Sequence, residues 1–361
     1  MSVVTASTDR PPLDGIRVID MGGVGPGPFA TMMLSDLGAE VTAIKKAGAD
    51  GGIVGATTRS MSRGKQEIHL DIKDEADRAQ IWKLLEEADV LVEGFRPEVM
   101  ERLGFGPDEV GARCPSLIYA RVTGWGREGP KANEAGHDIN YIALTGLLDQ
   151  VGHPRQPPVI PLNVVADFAG GGMFVVAGIL AALVERSRSG KGQVVDTAMI
   201  HGVAYLQAMV LGLRKENLWQ DQRGTNFVDG SRPFYTTYAT ADGGAVAVGC
   251  LEDRFYAEFL RLLGLPAADW DRSDPARWPQ QRFALAAIFA AHDRTHWDQL
   301  FAGSDACVTP ILSLAEAARH PHVIAEGAFI GSAPDEANVA PRFSRTRTDV
   351  DSSTPDTMAG R

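Results

Sequence analysis

Over roughly its first two hundred residues, the chain alternates short apolar runs with segments of helical length and periodicity. Residues 15–20 (GIRVID) predict a buried strand, and residues 29–38 predict a helix that Gly38 ends as its C-terminal cap. Strand and helix signals then follow in turn as far as residues 193–200. This order predicts a mostly parallel sheet with helices on both faces, in a large Rossmann-like α/β domain. Because such sheets bind ligands beyond the carboxyl ends of their strands, we expect the functional site at that edge.

The pattern changes in the last third of the chain. A polar tract over residues 216–232 predicts a linker, and residues 233–312 begin with two alternating runs joined by Asp242 and two glycines, which is typical of a β-hairpin. We therefore expect residues 1–215 to form the first part of the large domain and residues 233–312 to form a smaller α+β domain. Residues 313–361 are expected to return to the large domain.

The composition is that of an ordinary globular protein, and it argues against several classes of function. With 361 residues, 44% of them hydrophobic, the chain is long enough for two cores. A net charge of −11 argues against a nucleic-acid partner, since phosphate binding needs a basic face. The three cysteines, Cys114, Cys250 and Cys307, are an odd number without CxxC spacing, so we expect neither a disulfide framework nor a metal site.

Neither a targeting segment nor a membrane span is predicted. The first dozen or so residues lack the basic start and apolar run of a secretory signal. The longest apolar run, residues 173–184, is too short to cross a bilayer. The expected location is therefore the cytoplasm, without a membrane partner.

One short motif suggests a dinucleotide. Residues 25–30 (GPGPFA) fit GxGxxA after a predicted strand and before a predicted helix. However, Pro26 and Pro28 remove two backbone donors from the loop that would hold pyrophosphate. The next strand ends in Lys45 and Lys46 where a dinucleotide site has an acid for the ribose. A tight turn is the favoured interpretation, and a nucleotide-binding dehydrogenase is kept as a weaker alternative.

Two later segments carry groups suited to proton transfer at carbon. GHDIN places His137 before a predicted helix, and ADFAGGG places Asp167 about thirty residues later at what is expected to be a helix N-cap. An imidazole and a carboxylate on opposite sides of one carbon can each remove or return its proton, while amides at a helix start stabilise the enolate. The hypothesis requires His137 and Asp167 to line one cavity.

Several cations follow the predicted strands on an otherwise acidic chain. Coenzyme A carries a ribose phosphate and a diphosphate, so a site for it needs fixed positive charges. Lys46, Arg63, Lys65 and Arg96 are expected on successive loops at the same edge of the sheet. Arg96 is the strongest of them, because it lies in a turn that ends a buried strand.

The chain resembles the family III coenzyme A transferase superfamily, and within it the alpha-methylacyl-CoA racemases. The motifs that carry the resemblance run nearly from end to end: PLDGIRVIDMGG, LSDLGAEV, SRGK, DVLVEGFRP, RLGFGPDE, LIYARVTGWGREGP, AGHDINYIALTG, PLNVVADFAGGG, GILAALVERSRSGKGQVVD, ADGGAVAVG and SDACVTPIL. The resemblance implies a large and a small domain in an interlocked homodimer, whose active site lies between one chain's large domain and its partner's small domain. It also implies an acyl-CoA substrate and no separate cofactor, since CoA is part of the substrate.

The resemblance assigns roles to residues as well. His137 and Asp167 are expected to exchange the α-proton on opposite faces of a 2-methylacyl-CoA, and Glu252 of the small domain is expected to orient the imidazole from the partner chain. The main-chain N–H of Asp138 is expected to face the enolate oxygen. The residues expected to bind CoA are Lys46, Gly94, Arg96, Gly136, Asp138 and Tyr141.

The superfamily also implies an alternative chemistry. Its transferases use an aspartate, at a position similar to Asp167, as a nucleophile that carries the acyl group and then CoA. The racemases have the histidine of GHDIN, which is present here as His137. The resemblance therefore favours a racemase, with a CoA transferase as the alternative and a noncatalytic acyl-CoA binder as a third possibility.

Overall fold

The computed structural model describes residues 10–46, 52–331, 336–346 and 348. Within them the chain divides into two compact units. The division differs in place from the predicted domain boundaries.

The first unit contains the described residues up to Leu147, the segment Pro161–Ala208 and the described residues from Val339 onward. The second unit contains Leu148–Ile160 and Met209–Asn338. The boundary was predicted after residue 215, but it lies after Ala208, at the beginning of a helix. The chain returns to the first unit at Val339, which is later than the predicted residue 313. Leu148–Ile160, which the prediction assigned to the large domain, belongs to the second unit.

The first unit is built on a six-stranded parallel sheet with the strand order β3-β2-β1-β4-β5-β6. This arrangement confirms the predicted parallel α/β sheet. The order reverses between β1 and β4, where the chain passes from one half of the sheet to the other. The strands are β1 (Arg17–Asp20), β2 (Glu40–Lys45), β3 (Lys65–His69), β4 (Val90–Glu93), β5 (Ile118–Thr123) and β6 (Val194–Ala198).

Helices cover both faces of this sheet, because successive strand residues point to opposite sides. Val18 of β1 belongs to one apolar core, together with Leu34 and Ile179 of the helices on that face. Its neighbour Ile19 belongs to the other core, together with Ile81 and Phe105. The helices of this unit are α1 (Pro26–Asp36), α2 (Gly52–Arg59), α3 (Glu75–Glu86), α4 (Val99–Arg102), α5 (Pro107–Arg113), α6 (Asp138–Leu144), a π-helical segment (Val164–Gly172), α7 (Met173–Ser189) and α8 (Met199–Leu206).

The helical stretch Val164–Ser189 has 26 residues, and by length and composition alone it could cross a membrane. The prediction that the apolar segment is too short considered residues 173–184 only, and it is wrong because the π-helical residues extend the helix. One face of this stretch, including Val175 and Ile179, packs into the sheet core. A core helix passes the same test of length and composition.

The second unit contains an antiparallel sheet in the order β7-β8-β9, packed against helices. The predicted turn at Asp242 joins β7 to β8, and Gly243 there has a φ of 76° that favours glycine. The elements are α9 (Ala208–Lys215), β7 (Tyr235–Ala239), β8 (Ala245–Gly249), α10 (Asp253–Leu262), α11 (Trp278–Phe289), α12 (Arg294–Phe301), β9 (Val308–Pro310), α13 (Leu314–Ala317) and α14 (Pro321–Ala325).

Some element boundaries in this part of the chain were predicted wrongly. A single helix predicted over residues 280–301 is split into α11 and α12, because Asp293 starts a new helix by accepting the N–H of His296 at 2.8 Å. Pro321 similarly separates α13 from α14 within another predicted helix. Residues 340–346 were predicted as a final strand or as an extended tail that returns to the large domain; they form no strand, and they belong to the first unit.

Candidate active site

Three loops at the carboxyl edge of the six-stranded sheet surround a cavity of about 410 Å³ in the first unit. They follow β1, β4 and β5, so the cavity lies beside the point where the strand order reverses. Ligands of open parallel sheets bind at such a crevice. Predicted site residues that line it are Gly94, Arg96, Gly136, His137, Tyr141 and Asp167. The required convergence of the two acid–base groups on one cavity is therefore present in the structure.

His137 is the residue directly before α6, and its backbone is extended. Its main-chain N–H donates to Oδ1 of Asn140 at 3.0 Å, so a side chain of the first helical turn fixes the entry of the chain into α6. The exposed imidazole contributes to the cavity wall. An imidazole whose backbone is fixed in this way is suited to acid–base chemistry.

Asp167 lies inside a helical segment rather than at its start. The N-cap of the π-helical segment is Asn163, so the prediction that Asp167 caps the helix is wrong. The Asp167 carboxylate Oδ2 accepts a hydrogen bond from Nδ2 of Asn163 at 3.1 Å. The wide π-helical turn carries Asp167 to the cavity wall, and π-helical turns are frequent at functional sites.

Burial is the main reason that the pKa of Asp167 is raised above the usual value for an aspartate. Repulsion from the nearby Asp138 raises this pKa further, while the hydrogen bond from Asn163 and the charge of His137 lower it. A carboxylate whose pKa is raised by burial is a stronger base than an exposed one, which suits it to take a proton from carbon.

Glycines allow the polypeptide to approach Asp167 closely. Gly25, in the loop after β1, has a φ of 78°, and a Cβ atom built on it would lie 3.4 Å from Oδ2 of Asp167. A Cβ atom on Gly172 would lie only 2.5 Å from the ring of Phe29 in α1. At Gly25 the backbone therefore approaches the Asp167 carboxylate directly, and at Gly172 it approaches the ring of Phe29.

Tyr141 of α6 explains two further glycines. Its side chain is buried and its ring lies edge-on against Trp125 at 4.7 Å. A Cβ atom on Gly124 would lie 2.2 Å from the phenol oxygen, and one on Gly136 would lie 2.8 Å from the ring. Burial, with a contribution from Asp167, raises the pKa of Tyr141 to about 12, so the phenol stays protonated at neutral pH and can donate a hydrogen bond.

Asp138 contributes to the site in a way that the sequence did not reveal. Its carboxylate is 2% exposed and is directed into the protein. Oδ2 accepts the main-chain N–H groups of Ala166 and Asp167 at 2.6 and 2.9 Å. The side chain of Asp138 thus serves the structure of the site, while a contact between its main-chain N–H and the substrate stays a prediction.

Arg96 and Lys46, both predicted to bind CoA phosphates, lie in different surroundings. Arg96 is exposed and lines the cavity, in a turn held by a 2.8 Å hydrogen bond from the N–H of Phe95 to the buried carboxylate of Glu93. Lys46 does not line the cavity, and its Nζ lies 3.8 Å from Oδ2 of Asp71. Of the two cations, Arg96 is the one placed to meet a ligand.

The expectation that Arg63 and Lys65 bind phosphate is wrong. They lie at the amino end of β3, which is the opposite edge of the sheet from the cavity. Arg63 pairs with Asp36 at 2.5 Å, while Lys65 is buried and its Nζ contacts Asp20 at 3.1 Å. Burial lowers the pKa of Lys65, and its charge stabilises the structure around the end of β1.

Glu252 lies in the second unit, where it is the exposed N-cap residue of α10. Its side chain makes no capping hydrogen bond. Its role in orienting the imidazole of a partner chain stays a prediction. Among the residues that the structure describes, no group of three or more His, Cys, Asp or Glu side chains could hold a metal ion.

Sequence reasoning missed Asn163 as a partner of Asp167. A signal was available, because the two residues are four positions apart, which is the spacing of side chains that meet on one helical face. Gly25 was assigned to a tight turn only, and its contact with Asp167 joins segments that are more than a hundred residues apart in the chain. No local pattern could have revealed that contact.

Known proteins similar to this chain include an alpha-methylacyl-CoA racemase from Mus musculus, 42% identical over 337 residues that cover 92% of this chain and 87% of the racemase. An acetyl-CoA:oxalate CoA-transferase from Acetobacter aceti is 32% identical over 351 residues, covering 92% of this chain and 89% of the transferase. The crystal structure of a CAIB/BAIF family protein from Brucella suis superimposes with a TM-score of 0.80 at 27% identity, covering 96% of each chain.

These similarities agree with a match to a protein family. Residues 13–359 match CoA-transferase family III. That match covers most of both compact units, including the segments that carry His137 and Asp167. The chain therefore belongs to CoA-transferase family III.

Proposed function

We propose that this protein is an alpha-methylacyl-CoA racemase that interconverts the 2R and 2S epimers of 2-methylacyl-CoA thioesters. The observation that carries the proposal is the 42% identity with the mouse racemase over 92% of the chain. The structure supports it, because His137 and Asp167 line the same cavity and are the two types of group that a two-base proton transfer needs.

The proposed reaction removes and returns one proton. With the α-carbon between the two groups, the Asp167 carboxylate takes the proton from one face, and the electron pair of the C–H bond moves into the thioester to form an enolate. A protonated His137 then delivers a proton to the opposite face, and the enolate reverts to the thioester. The reverse direction exchanges the two roles, so no atom other than hydrogen is transferred.

The enolate oxygen requires donors that are already in place. The first main-chain N–H groups of α6 begin directly after His137, where the helix dipole favours negative charge. Placement of the thioester oxygen at these groups, with Asp138 at the first helical position, brings the α-carbon next to the imidazole. Such preorganised donors typically supply several kcal/mol to the transition state.

Binding of the CoA part is assigned to the rest of the cavity. Arg96 would meet phosphate, and the glycine-lined walls at Gly94 and Gly136 would admit the narrow pantetheine arm. Tyr141 would donate a hydrogen bond from its phenol. No separate cofactor is included in this proposal, since CoA enters as part of the substrate.

The proposal extends to the assembly and its location. We infer an interlocked homodimer in which Glu252 of one chain orients His137 of the other, as the resemblance implies. A cytoplasmic location fits the acidic composition, with a net charge of −11. Equilibrium sedimentation tests the dimer, and a mixed dimer of Glu252→Gln and His137→Ala chains tests whether the two residues act across it.

CoA transfer is the second candidate function. The family and the 32% identity with the acetyl-CoA:oxalate CoA-transferase support it, and Asp167 would then act as the nucleophile. The racemase is favoured by the higher identity and by His137, because acyl transfer through an aspartyl intermediate needs no imidazole base.

Two incubations separate the two functions. A single pure epimer of a 2-methylacyl-CoA is mixed with the enzyme in deuterated water, with no acyl acceptor present. A racemase gives both epimers with deuterium at the α-carbon. Recovery of the starting epimer without label, together with transfer of CoA to a free acid that is added in a second incubation, would establish the transferase instead.

A further inference from the structure

Asp138 connects the two predicted bases physically. It follows His137 in the chain as the first residue of α6. Across the cavity wall, its Oδ2 accepts the N–H of Asp167 at 2.9 Å and that of Ala166 at 2.6 Å. One side chain is therefore bonded to the backbone of one base and is the direct neighbour of the other.

We propose that Asp138 is a positioning residue that holds His137 and Asp167 at a fixed separation, so that a proton removed from one face of the substrate carbon is returned on the opposite face. This inference rests on the proposed racemase function of the same cavity. It concerns the carboxylate of Asp138, whereas the predicted contact with the enolate concerns its main-chain N–H.

The hydrogen-bond requirements of the π-helical segment explain why a carboxylate is needed. In a π-helix each N–H bonds to a carbonyl five residues earlier, so the first amides of Val164–Gly172 have no acceptor within the segment. Asp138 supplies an acceptor for two of them. Because the bonds are charge-assisted and reach the Asp167 backbone itself, they fix that residue more firmly than a cap at the helix start would.

The burial of Asp138 is costly, which indicates a function. The side chain is 2% exposed, and among the described residues its second oxygen, Oδ1, has no hydrogen-bond partner. A buried oxygen without a partner destabilises the folded state. The charge has an effect on the chemistry instead: repulsion from Asp138 helps to raise the pKa of Asp167 and so to keep it basic.

Fixed separation matters for inversion more than for proton exchange. If one base removes the proton, exchanges it with solvent and returns it, the product keeps its configuration and carries deuterium. Inversion needs the second base within reach of the opposite face during the lifetime of the enolate. A change that loosens the pair therefore lowers the ratio of inversion to exchange with retention, and a displacement of about 1 Å can lower a rate by about 10²-fold.

The test compares Asp138→Asn with Asp74→Asn. Asp74 is a matched control in the same unit, because its carboxylate also accepts two main-chain N–H groups, those of Ala76 and Asp77, but it lies at the start of α3. Pure epimer is incubated in deuterated water, and inverted and retained labelled products are counted by chiral separation and mass spectrometry. We expect the ratio to fall about tenfold or more in Asp138→Asn and to stay at the wild-type value in Asp74→Asn.

The pH profile gives a second readout in a variant that keeps the wild-type circular dichroism spectrum, because exposure of Asp167 would itself lower the pKa of this carboxyl group. Removal of the Asp138 charge lowers the pKa of Asp167, so the acid limb of the exchange rate moves to lower pH in Asp138→Asn. If Asp138→Asn does not fold, as judged by circular dichroism, Asp138→Glu is tested in its place. This variant keeps the charge and has a longer side chain, so we expect the acid limb to stay at the wild-type pH and the ratio of inversion to retention to fall. A wild-type ratio in either folded variant overturns the proposal.

A titration separates this proposal from the proposed function. The carboxyl signal of Asp167 is followed by ¹³C NMR in protein labelled at aspartate and is assigned with Asp167→Asn. If the wild type racemises no 2-methylacyl-CoA, the proposed function fails, but the titration still reports on Asp138. An Asp167 pKa that is lower in Asp138→Asn supports the positioning residue, and an unchanged pKa overturns it.

Discussion

Each unit of the protein contains a cavity, and the larger one is not where the candidate chemistry lies. The cavity in the second unit has a volume of about 720 Å³, against about 410 Å³ in the first. Its charged groups hold loops together: Arg282 donates to the carbonyls of Gly230 and Ser231, and Asp229 accepts the N–H groups of three successive residues, 224–226. Their hydrogen-bonding capacity is largely used within the protein.

The smaller cavity differs in what its groups are able to do. Asp167 has a raised pKa and faces a space that it shares with an imidazole, while Arg96 and the phenol of Tyr141 lie on the same walls. The comparison shows that volume does not identify the site. The presence of titratable groups that structural hydrogen bonds do not occupy is the better criterion.

The largest expected difference between the cavities comes from two histidines. His137→Ala should lower the rate of epimerisation of a pure 2-methylacyl-CoA by about 10³-fold, because inversion needs both acid–base groups. His153→Ala makes the same change in the second cavity, where His153 is also exposed, and should leave the rate near the wild-type value. Equal losses in the two variants would contradict the assignment of the site.

A pair of glycines gives the next largest difference. Gly25→Ala places a methyl group beside the Asp167 carboxylate at a φ of 78°, and we expect the exchange rate to fall by about 10²-fold as the carboxylate shifts. Gly243→Ala has a similar φ of 76° but no atom within 4 Å of the added carbon. It should cost about 1 kcal/mol in the free energy of unfolding and leave the rate intact. A rate that survives in Gly25→Ala would show that the carboxylate tolerates displacement.

Two arginines distinguish ligand binding from stability. Arg96→Ala should raise KM for the acyl-CoA about tenfold with little change in kcat, since a charged hydrogen bond to phosphate contributes about 1.5–3 kcal/mol. Arg282→Ala should instead lower the free energy of unfolding by about 2 kcal/mol, because carbonyls of Gly230 and Ser231 lose their donor. Steady-state kinetics and urea unfolding of both variants test this, and an unchanged KM in Arg96→Ala would remove Arg96 from the CoA site.

The smallest effect is a shift in pH dependence. Asn163 donates to the Asp167 carboxylate and so lowers its pKa. In Asn163→Ala this contribution is lost, the pKa of Asp167 rises, and the fraction of carboxylate at a given pH falls. The acid limb of the exchange rate should therefore move to higher pH, opposite to the direction expected for Asp138→Asn. The pH profiles of both variants are measured in the same buffers to test the two directions. A shift of the acid limb in the same direction in both variants would contradict this account of the electrostatics.

The sequence allowed good prediction where local patterns decide structure. The apolar run at residues 15–20 gives β1, and the glycine–proline loop after it gives the turn into α1, because strand and helix periodicity follow from alternating and 3.6-residue spacing. Helix breaks in the second unit were harder to place. Asp293 and Pro321 both carry local signals for a helix start, yet the continuous helical pattern around them concealed the breaks.

The sequence predicted which residues carry the chemistry of the site, but not which groups those residues contact. His137 and Asp167 were identified from their motifs, and the structure places both on one cavity. All four cations were expected at one edge of the sheet, although Lys65 is buried beside Asp20 and Arg63 is paired with Asp36. Whether a charge is free for a ligand depends on partners that are distant in sequence, and spacing carries no record of them.

The sequence by itself determined the parallel α/β architecture of the first unit, the family, and the identity of the imidazole and the carboxyl group. Only the tertiary structure decided that Asp138 turns inward to bind the Asp167 backbone, that Gly25 lies against the Asp167 carboxylate, and that the helix around Asp167 has π geometry. The physical reason is that periodicity and capping act between neighbours in the chain. Burial, charge repulsion and close packing act between segments that meet only when the sheet has formed.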